Sequence, residues 1–410
     1  MMVGKRRSLP AVSSTPPPTS EDRGTEDVLT AKERNSALIE AIIADGTLTD
    51  TALVETFRAV PRHLFIPESG VSTARGDTLN AETDPDRWLA AVYADNAIVT
   101  RVDDSGTRSR SKAVKEGGTS SSSAPTVLAR VLEMADLSEG LEVLEVGTGT
   151  GWNTALLSHR LGGHAVTSVE IDERLLETAR KALRGAGLSP TTHLADGLHG
   201  YPAGAPYDRI ISVCGIERVP RAWAEQIRPG GLVVCPWGLL ENAGVLMRLE
   251  FDEEGAASGR FRSGVGFVPL RTPDSIRPPI RDTGRQPDEY RLTQADPVAP
   301  LMAFPSAFAL SVLVPDWRMR RRWIGTGSGM WLCDREGASW VRIYPYGTSW
   351  MVEQGGPRSI WDEVEEALEL WSDLGEPEPE RFGLTVTPSG GQRVWLDSPE
   401  GRSWPVDSPA

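Results

Sequence analysis

The chain predicts an α/β protein: a doubly wound, mainly parallel sheet followed by an added C-terminal α+β domain. Three observations carry this reading. Between residues 126 and 238 short apolar runs alternate with amphipathic stretches, the pattern of βαβ units whose helices cover both faces of a sheet. A glycine-rich turn, Gly147-Thr148-Gly149-Thr150-Gly151, joins an apolar strand to a helical stretch. Past Gly238 the alternation stops, and strand-like runs broken by Gly and Pro take over. At 410 residues the chain is longer than the ~100–200 of one ordinary domain, so more than one is expected.

Residues 1–30 are rich in Pro, Ser, Thr and acidic residues, too polar to offset their ordering entropy, and are read as a disordered tail. Residues 31–125 form an N-terminal helical segment and a loop. Leu38, Ile39, Ile42 and Ile43 share a helical face, Asp45-Gly46 ends it, and Thr49 or Asp50 caps a second helix carrying Leu53, Val54 and Phe57. Residues 101–123 hold Ser, Gly and charges with almost no apolar residues, which reads as a long loop. Residues 126–238 make the core. A helix carries Val127, Leu128, Val131 and Leu132; strands are expected at 141–147, 166–171, 191–195, 209–213 and 232–236, and helices at 152–161, 173–184 and 218–227. Residues 239–410 make the accessory domain, with strand-like runs at 308–314, 340–344 and 383–386. One helix begins after Ser359 and places Ile360, Trp361, Val364, Leu368 and Trp371 on one face. Nine of the 13 tryptophans lie in this part, read as core and strand residues.

Composition narrows the function. Lys+Arg 43 against Asp+Glu 57 gives a net charge of −14, which argues against nucleic acid as a partner. The three cysteines, Cys214, Cys235 and Cys333, are too far apart for a disulfide scaffold or a zinc site, and the five histidines show no metal-ligand spacing, so no metal is expected. Cys214 and Cys235 read as inert residues of buried strands. No apolar run reaches the ~18 residues of a membrane span, and no apolar stretch follows Lys5-Arg6-Arg7 as in a signal peptide. A cytoplasmic location is expected, with no membrane partner.

The chemistry sits around the glycine turn. Glycines let a backbone approach a ligand, and the helix they open presents free N–H groups. Alone, G-x-G-x-G is weak. Here Glu145 precedes it on the strand, Glu170 ends the next strand about 20 residues on, where a carboxylate takes ribose hydroxyls, and Asp196-Gly197 ends the third. Together these resemble the S-adenosylmethionine pocket of class I methyltransferases, a Rossmann-like fold. The resemblance implies Glu145, Gly147, Thr148, Gly149, Thr150, Gly151, Asn153, Glu170, Asp196 and Gly197 as cofactor residues, with Glu170 on the ribose and Asp196 on the adenine amino group.

A narrower resemblance rests on Val60-Pro61-Arg62-His63-Leu64-Phe65-Ile66-Pro67, Tyr93-Ala94-Asp95, Ser121-Ser122-Ser123-Ala124-Pro125, the glycine turn, Tyr207-Asp208-Arg209-Ile210-Ile211 and Arg228-Pro229-Gly230-Gly231. In this order they resemble the protein-L-isoaspartate O-methyltransferases over residues 32–238. The family implies methylation of an aspartyl-derived carboxylate on a peptide, then loss of methanol to give a succinimide. It implies Ser123 as the active-site hydroxyl, with Ser121, Ser122 and Asp95 beside it. Tyr93 shares the Asp95 motif, between substrate contact and local structure; His63 is read as packing. The repair enzymes are close to a single domain, whereas about 170 residues follow here. That, the longer stretch Val102–Gly118, the four-serine run 120–123 and the ending 371–387 are similar to a divergent branch that matures ribosomally made peptides such as lanthipeptides and graspetides. That branch implies a modified precursor peptide as partner and an aspartimide or isoaspartate as product.

A carboxylate of pKa near ~4 is already ionised at neutral pH and needs no general base. The enzyme must place it, and hydroxyls do so without quenching it as a salt bridge would. The competing readings are a housekeeping isoaspartate repair enzyme, a non-catalytic peptide-binding scaffold and a nicotinamide dehydrogenase; a flexible linker is the plain reading of the serines. Arg318–Arg322 form a basic cluster, a solvated face or a contact for an acidic peptide. The oligomeric state is open.

Overall fold

The computed structural model describes residues 29–101, 120–239, 243–266, 268–271, 284–324 and 327–406. The expected N-terminal tail and most of the expected 101–123 loop lie outside them.

Helix α1 (Ala31–Ala44) opens with a capping box in which Thr30 and Glu33 satisfy each other's backbone N–H groups, and it buries Leu38, Ile39 and Ile42. Asp50 Oδ1 caps α2 (Thr51–Ala59) by accepting from the N–H groups of Ala52 and Leu53. There follow β1 (Val71–Thr73), β2 (Thr78–Leu79), α3 (Pro85–Val92), β3 (Ile98–Arg101) and β4 (Ser120–Ser122), forming a small sheet of order β2-β1-β3-β4. The serine run is therefore a strand, antiparallel to β3, and not the end of a loop. Serine's weak strand preference is overridden by burial: Ser120 and Ser122 are both largely covered.

Next come α4 (Pro125–Met134), β5 (Val143–Val146), α5 (Trp152–Leu161), β6 (Val166–Glu170), α6 (Glu173–Gly185), β7 (Thr191–Leu194), β8 (Tyr207–Ser212), α7 (Arg221–Ala224) and β9 (Ile227–Trp237). Strands β7-β6-β5-β8-β9 are parallel neighbours in that order, as the alternation predicts. All four residues of β5 are buried, as a strand covered on both faces requires. The helix expected over 218–227 shrinks to α7, since Pro220 precedes it and Ile227 already pairs with Tyr207 of β8.

The chain continues through β10 (Val245–Phe251), β11 (Ala257–Gly264), β12 (Glu289–Thr293), α8 (Ala299–Met302), α9 (Phe304–Leu313), β13 (Trp317–Ile324), β14 (Gly327–Asp334), β15 (Trp340–Tyr346), β16 (Ser349–Gly355), α10 (Ile360–Asp373), β17 (Phe382–Val386), β18 (Gln392–Leu396) and β19 (Ser403–Pro405). The boundary expected at residue 238 is not a break in the fold. Strands β10, β11, β17, β18 and β19 extend the parallel sheet antiparallel to ten strands, in the order β19-β18-β17-β11-β10-β9-β8-β5-β6-β7. The distinct unit is the five-stranded antiparallel sheet β12-β16-β15-β14-β13 inserted between β11 and β17. One apolar cluster runs from Leu144 and Ile210 through Trp237 and Phe261 to Phe308, Val341, Trp361 and Phe382, so the insert shares a core with the large sheet. Residues 308–314, expected as a strand, lie mostly in α9. Apolar residues fill that helix almost all round, so periodicity could not separate the two. Phe308 packs edge-on against Trp237, Phe261 and Phe382. The arginines 318–322 lie on β13, an end strand of the smaller sheet.

Candidate active site

At the C-terminal end of β5 the turn runs through three left-handed glycines: Gly147 (φ 96°), Gly149 (φ 56°) and Gly151 (φ 94°). A Cβ at Gly147 would stand 2.8 Å from Cys214 Sγ, and one at Gly151 would stand 3.2 Å from the Ala179 Cβ on α6. Those two positions are closed by packing. A Cβ at Gly149 would meet nothing within 4 Å. The turn borders a cleft that encloses about 580 Å³ of empty space, the solvent at its open mouth included. Gly147, Gly149, Glu170, Gly197 and Ser121 line it, so the fold brings together five of the residues singled out from the sequence.

Glu170 ends β6 and is 6% exposed. Its Oε2 accepts from Gly149 N–H at 2.9 Å and its Oε1 from Asp172 N–H at 3.0 Å, which fixes the carboxylate against the glycine turn. Asp196 Oδ1 accepts from Leu198 N–H at 2.9 Å; Gly197 lines the cleft, whereas Asp196 itself is not among the lining residues. The Glu170 carboxylate and the open Gly149 face in one cleft fit S-adenosylmethionine, whose ribose diol would need such an acceptor.

Glu145 does not belong with them. It is fully buried, and its oxygens accept from Thr154 Oγ1 (2.5 Å), Ser168 Oγ (2.6 Å) and Asn153 Nδ2 (2.8 Å). Thr148 Oγ1 bonds Ser168 Oγ at 2.6 Å. Glu145, Thr148 and Asn153 thus form a buried network that locks β5, α5 and β6 together beneath the turn, and Thr150 is buried in the turn itself. None of the four, nor Gly151, reaches the cleft lining. Their spacing matched a cofactor motif because that motif includes the residues that hold the glycines in place.

Burial pushes the Glu145 carboxyl up to about 7, against its three hydrogen bonds, with a further push from Glu170. A carboxyl whose pKa is raised by folding contributes full stability below its unfolded value of 4.5, and that contribution is lost as pH rises toward 7. Glu145→Gln is therefore expected to remove a slope of about 3 kcal/mol between those pH values, while S-adenosylhomocysteine affinity stays within a few-fold of wild type. Urea unfolding at pH 5 and pH 8 reads the first effect and calorimetry the second. A tenfold loss of affinity would return Glu145 to the cofactor site.

The acceptor side is organised by Arg62, in the turn after α2. It is completely buried, and its guanidinium donates to the carbonyls of Val92 (2.8 Å), Ala94 (3.3 Å), Asn96 (3.0 Å), Ser122 (3.1 Å) and Ser123 (2.8 Å). It also stands over the Trp152 ring, 5.2 Å from its centre. Three segments distant in sequence are thus pinned to one planar fork. Burial lowers its pKa to about 9, with Asp95 and Tyr93 opposing, so it remains a cation at neutral pH. Ser120 and Ser121 line the cleft; Ser122 Oγ faces Arg62, and Ser123 lies one step beyond. Asp95, expected at the chemistry, instead accepts from Thr126 N–H at 2.9 Å and so satisfies a free donor at the start of α4. The Tyr93 hydroxyl bonds His63 Nδ1 at 2.5 Å, a local tie.

Sequence reasoning did not single out Arg62 from its segment, nor place Ser120, Cys214 or Val268–Arg271 at the cleft. Cys214 lies past the end of β8 in the cleft wall, its thiol pushed up to about 12 by burial. Val268–Arg271 returns from the far side of β11 and is held by Gly215 N–H to Val268 O (2.9 Å) and Leu270 N–H to Gly215 O (2.8 Å). Only the short apolar run Val268-Pro269-Leu270 marks it, and nothing in such a run indicates what it packs against.

Parallel sheet, glycine turn and ribose-type carboxylate define a class I S-adenosylmethionine-dependent methyltransferase. Residues 105–274 match the family model "Protein-L-isoaspartate(D-aspartate) O-methyltransferase (PCMT)". The protein-L-isoaspartate O-methyltransferase of Pyrococcus horikoshii is 31% identical over 240 residues, 58% of this chain and 93% of its own. That of Thermococcus onnurineus is 40% identical over 150 residues, 36% of this chain and 68% of its own. The chain belongs to the protein-L-isoaspartate O-methyltransferase family, enzymes that use S-adenosylmethionine. A solved structure described as a protein-L-isoaspartate O-methyltransferase matches in fold with a TM-score of 0.52 at 20% identity, over 89% of this chain and all of its own. Among the described residues no helix is long and apolar enough to cross a membrane.

Proposed function

We propose that the chain methylates the free carboxylate of an isoaspartyl residue in a peptide, with Glu170 and Asp196 holding the cofactor and the serines of β4 and its end facing the acceptor. The observation that carries this is the arrival of Ser120 and Ser121 in the same cleft as Gly149 and Glu170. S-adenosylmethionine, when bound, supplies a sulfonium-activated methyl that an ionised carboxylate takes with no proton to move. What remains for the chain is positioning. Arg62 fixes the Ser122 and Ser123 carbonyls, so β4 enters the cleft at one height. The serine hydroxyls and strand N–H groups orient the carboxylate, and Glu170 holds the donor beneath.

The names of the relatives support isoaspartate as the acceptor. The second reading is an ordinary aspartate in a modified ribosomal precursor peptide, giving an aspartimide or isoaspartate. The four-serine run and the long stretch before it support that reading. Methylation of an isoaspartyl hexapeptide and of the same peptide with aspartate, followed by mass, separates the two. The first reading expects the isoaspartyl peptide alone to gain a methyl. It further expects Ser121→Ala or Ser123→Ala to lower the rate at least tenfold with S-adenosylhomocysteine affinity unchanged. A peptide without isoaspartate methylated at the faster rate would overturn it.

A further inference from the structure

Among the described residues lining the cleft, Glu170 is the one anion and Arg271 the one cation. Arg271 does not come from the parallel sheet's own loops. It follows Val268-Pro269-Leu270, the segment strapped to Gly215. Its guanidinium stands 4.0 Å from Glu170 Oε1, beyond hydrogen-bond length, with about a third of its side chain exposed. Both Glu170 oxygens already accept backbone N–H groups, so the arginine is not needed to satisfy them. A guanidinium has five N–H donors in a fork that matches carboxylates.

We propose that Arg271 is the residue that selects an anionic acceptor: it attracts the substrate carboxylate into the cleft, and the serines then fix its orientation. The inference rests on the reading of the cleft as a carboxylate methylation site. Methylation removes the acceptor's charge, so the same arginine that favours the acid has no ion to pair with in the ester, and the product leaves. At 4.0 Å the Glu170–Arg271 attraction is partial, which leaves the guanidinium able to turn toward a second anion without stripping Glu170 of its backbone partners. Arg271 acts as a specificity residue in this scheme, and the transferring methyl is not its contact.

The test uses the full chain saturated with S-adenosylhomocysteine, with two probes: an isoaspartyl hexapeptide and its isoasparaginyl counterpart, which has the same shape and no charge. Calorimetry gives the wild-type preference for the acid over the amide, expected to be at least tenfold and to shrink as salt is raised. Arg271→Gln is expected to abolish the preference by weakening the acid alone. Arg271→Lys, which keeps the charge, is expected to retain part of it. S-adenosylhomocysteine affinity should stay within threefold in both variants, and KM for the peptide should rise more than kcat falls. An unchanged preference in Arg271→Gln overturns the proposal. So does loss of S-adenosylhomocysteine binding in that variant, which would assign Arg271 to the cofactor. Failure of the wild-type enzyme to methylate any carboxylate peptide is a separate result, and it counts against the underlying reading.

Discussion

Arg62→Ala is expected to lower the melting temperature by roughly 5–10 °C and reduce methylation to background, although Arg62 lies outside the cleft lining. Five backbone carbonyls accept from this one buried side chain, those of Val92 and Ser122 in buried hydrogen bonds and the other three in part-buried ones. Each buried acceptor left without a donor costs about 1–3 kcal/mol, and together they place the variant among the rare substitutions that cost more than about 4 kcal/mol. Arg62→Lys is the sharper experiment. An ammonium keeps the charge but offers three donors from one point, so it cannot span five carbonyls on two segments. Its melting temperature is expected to fall nearly as far as that of Arg62→Ala. A lysine variant with wild-type melting temperature and rate would show that charge alone matters and that the fork does not set β4.

Glu170→Ala is expected to weaken S-adenosylhomocysteine binding at least a hundredfold, measured by calorimetric titration. Hydrogen bonds from a ribose diol to a carboxylate contribute about 1.5–3 kcal/mol each, and two are lost. The substitution also frees the N–H groups of Gly149 and Asp172, so the glycine turn loses one of the contacts that tie it to β6. Glu170→Gln separates these effects. Its amide oxygen can still accept one backbone N–H, but the charge is gone, and an intermediate loss of roughly tenfold is expected. Unchanged affinity in Glu170→Ala would remove the ribose assignment. A loss confined to melting temperature would make the residue a strut of the turn.

The two residues show where one-dimensional reading succeeds and where it fails. The place of Glu170 in the cleft was legible because it is set by local geometry: a strand end, a fixed distance from a glycine turn on the neighbouring parallel strand. The βαβ repeat converts sequence spacing into spatial position, so strand order β7-β6-β5-β8-β9 and the cleft at the strand ends follow from pattern. Gly147, Gly149 and Gly197 were legible for the same reason. Glu145 and Asp95 had the right residue type at the right motif position, yet hydrogen bonding committed both elsewhere, one to a buried network and one to an exposed helix start. Whether a carboxylate serves ligand or scaffold depends on which donors surround it, and those donors are contributed by other segments.

By itself the sequence determined the class of fold, the glycine turn and the carboxylate that ends β6, because short-range periodicity and turn chemistry act through neighbours in the chain. Only the tertiary structure decided the rest. It turned the serine run into a strand, since Arg62, some 60 residues earlier, supplies the donors that make burying it tolerable. It carried the sheet through the boundary expected at 238, because β10 and β11 leave an open edge that β17 to β19 complete. And it returned Arg271 to the cleft from beyond β11. Each of these depends on pairing backbone groups or charges across long stretches of chain. That pairing is settled by which buried donors would otherwise go unsatisfied, a quantity that no local window of residues contains.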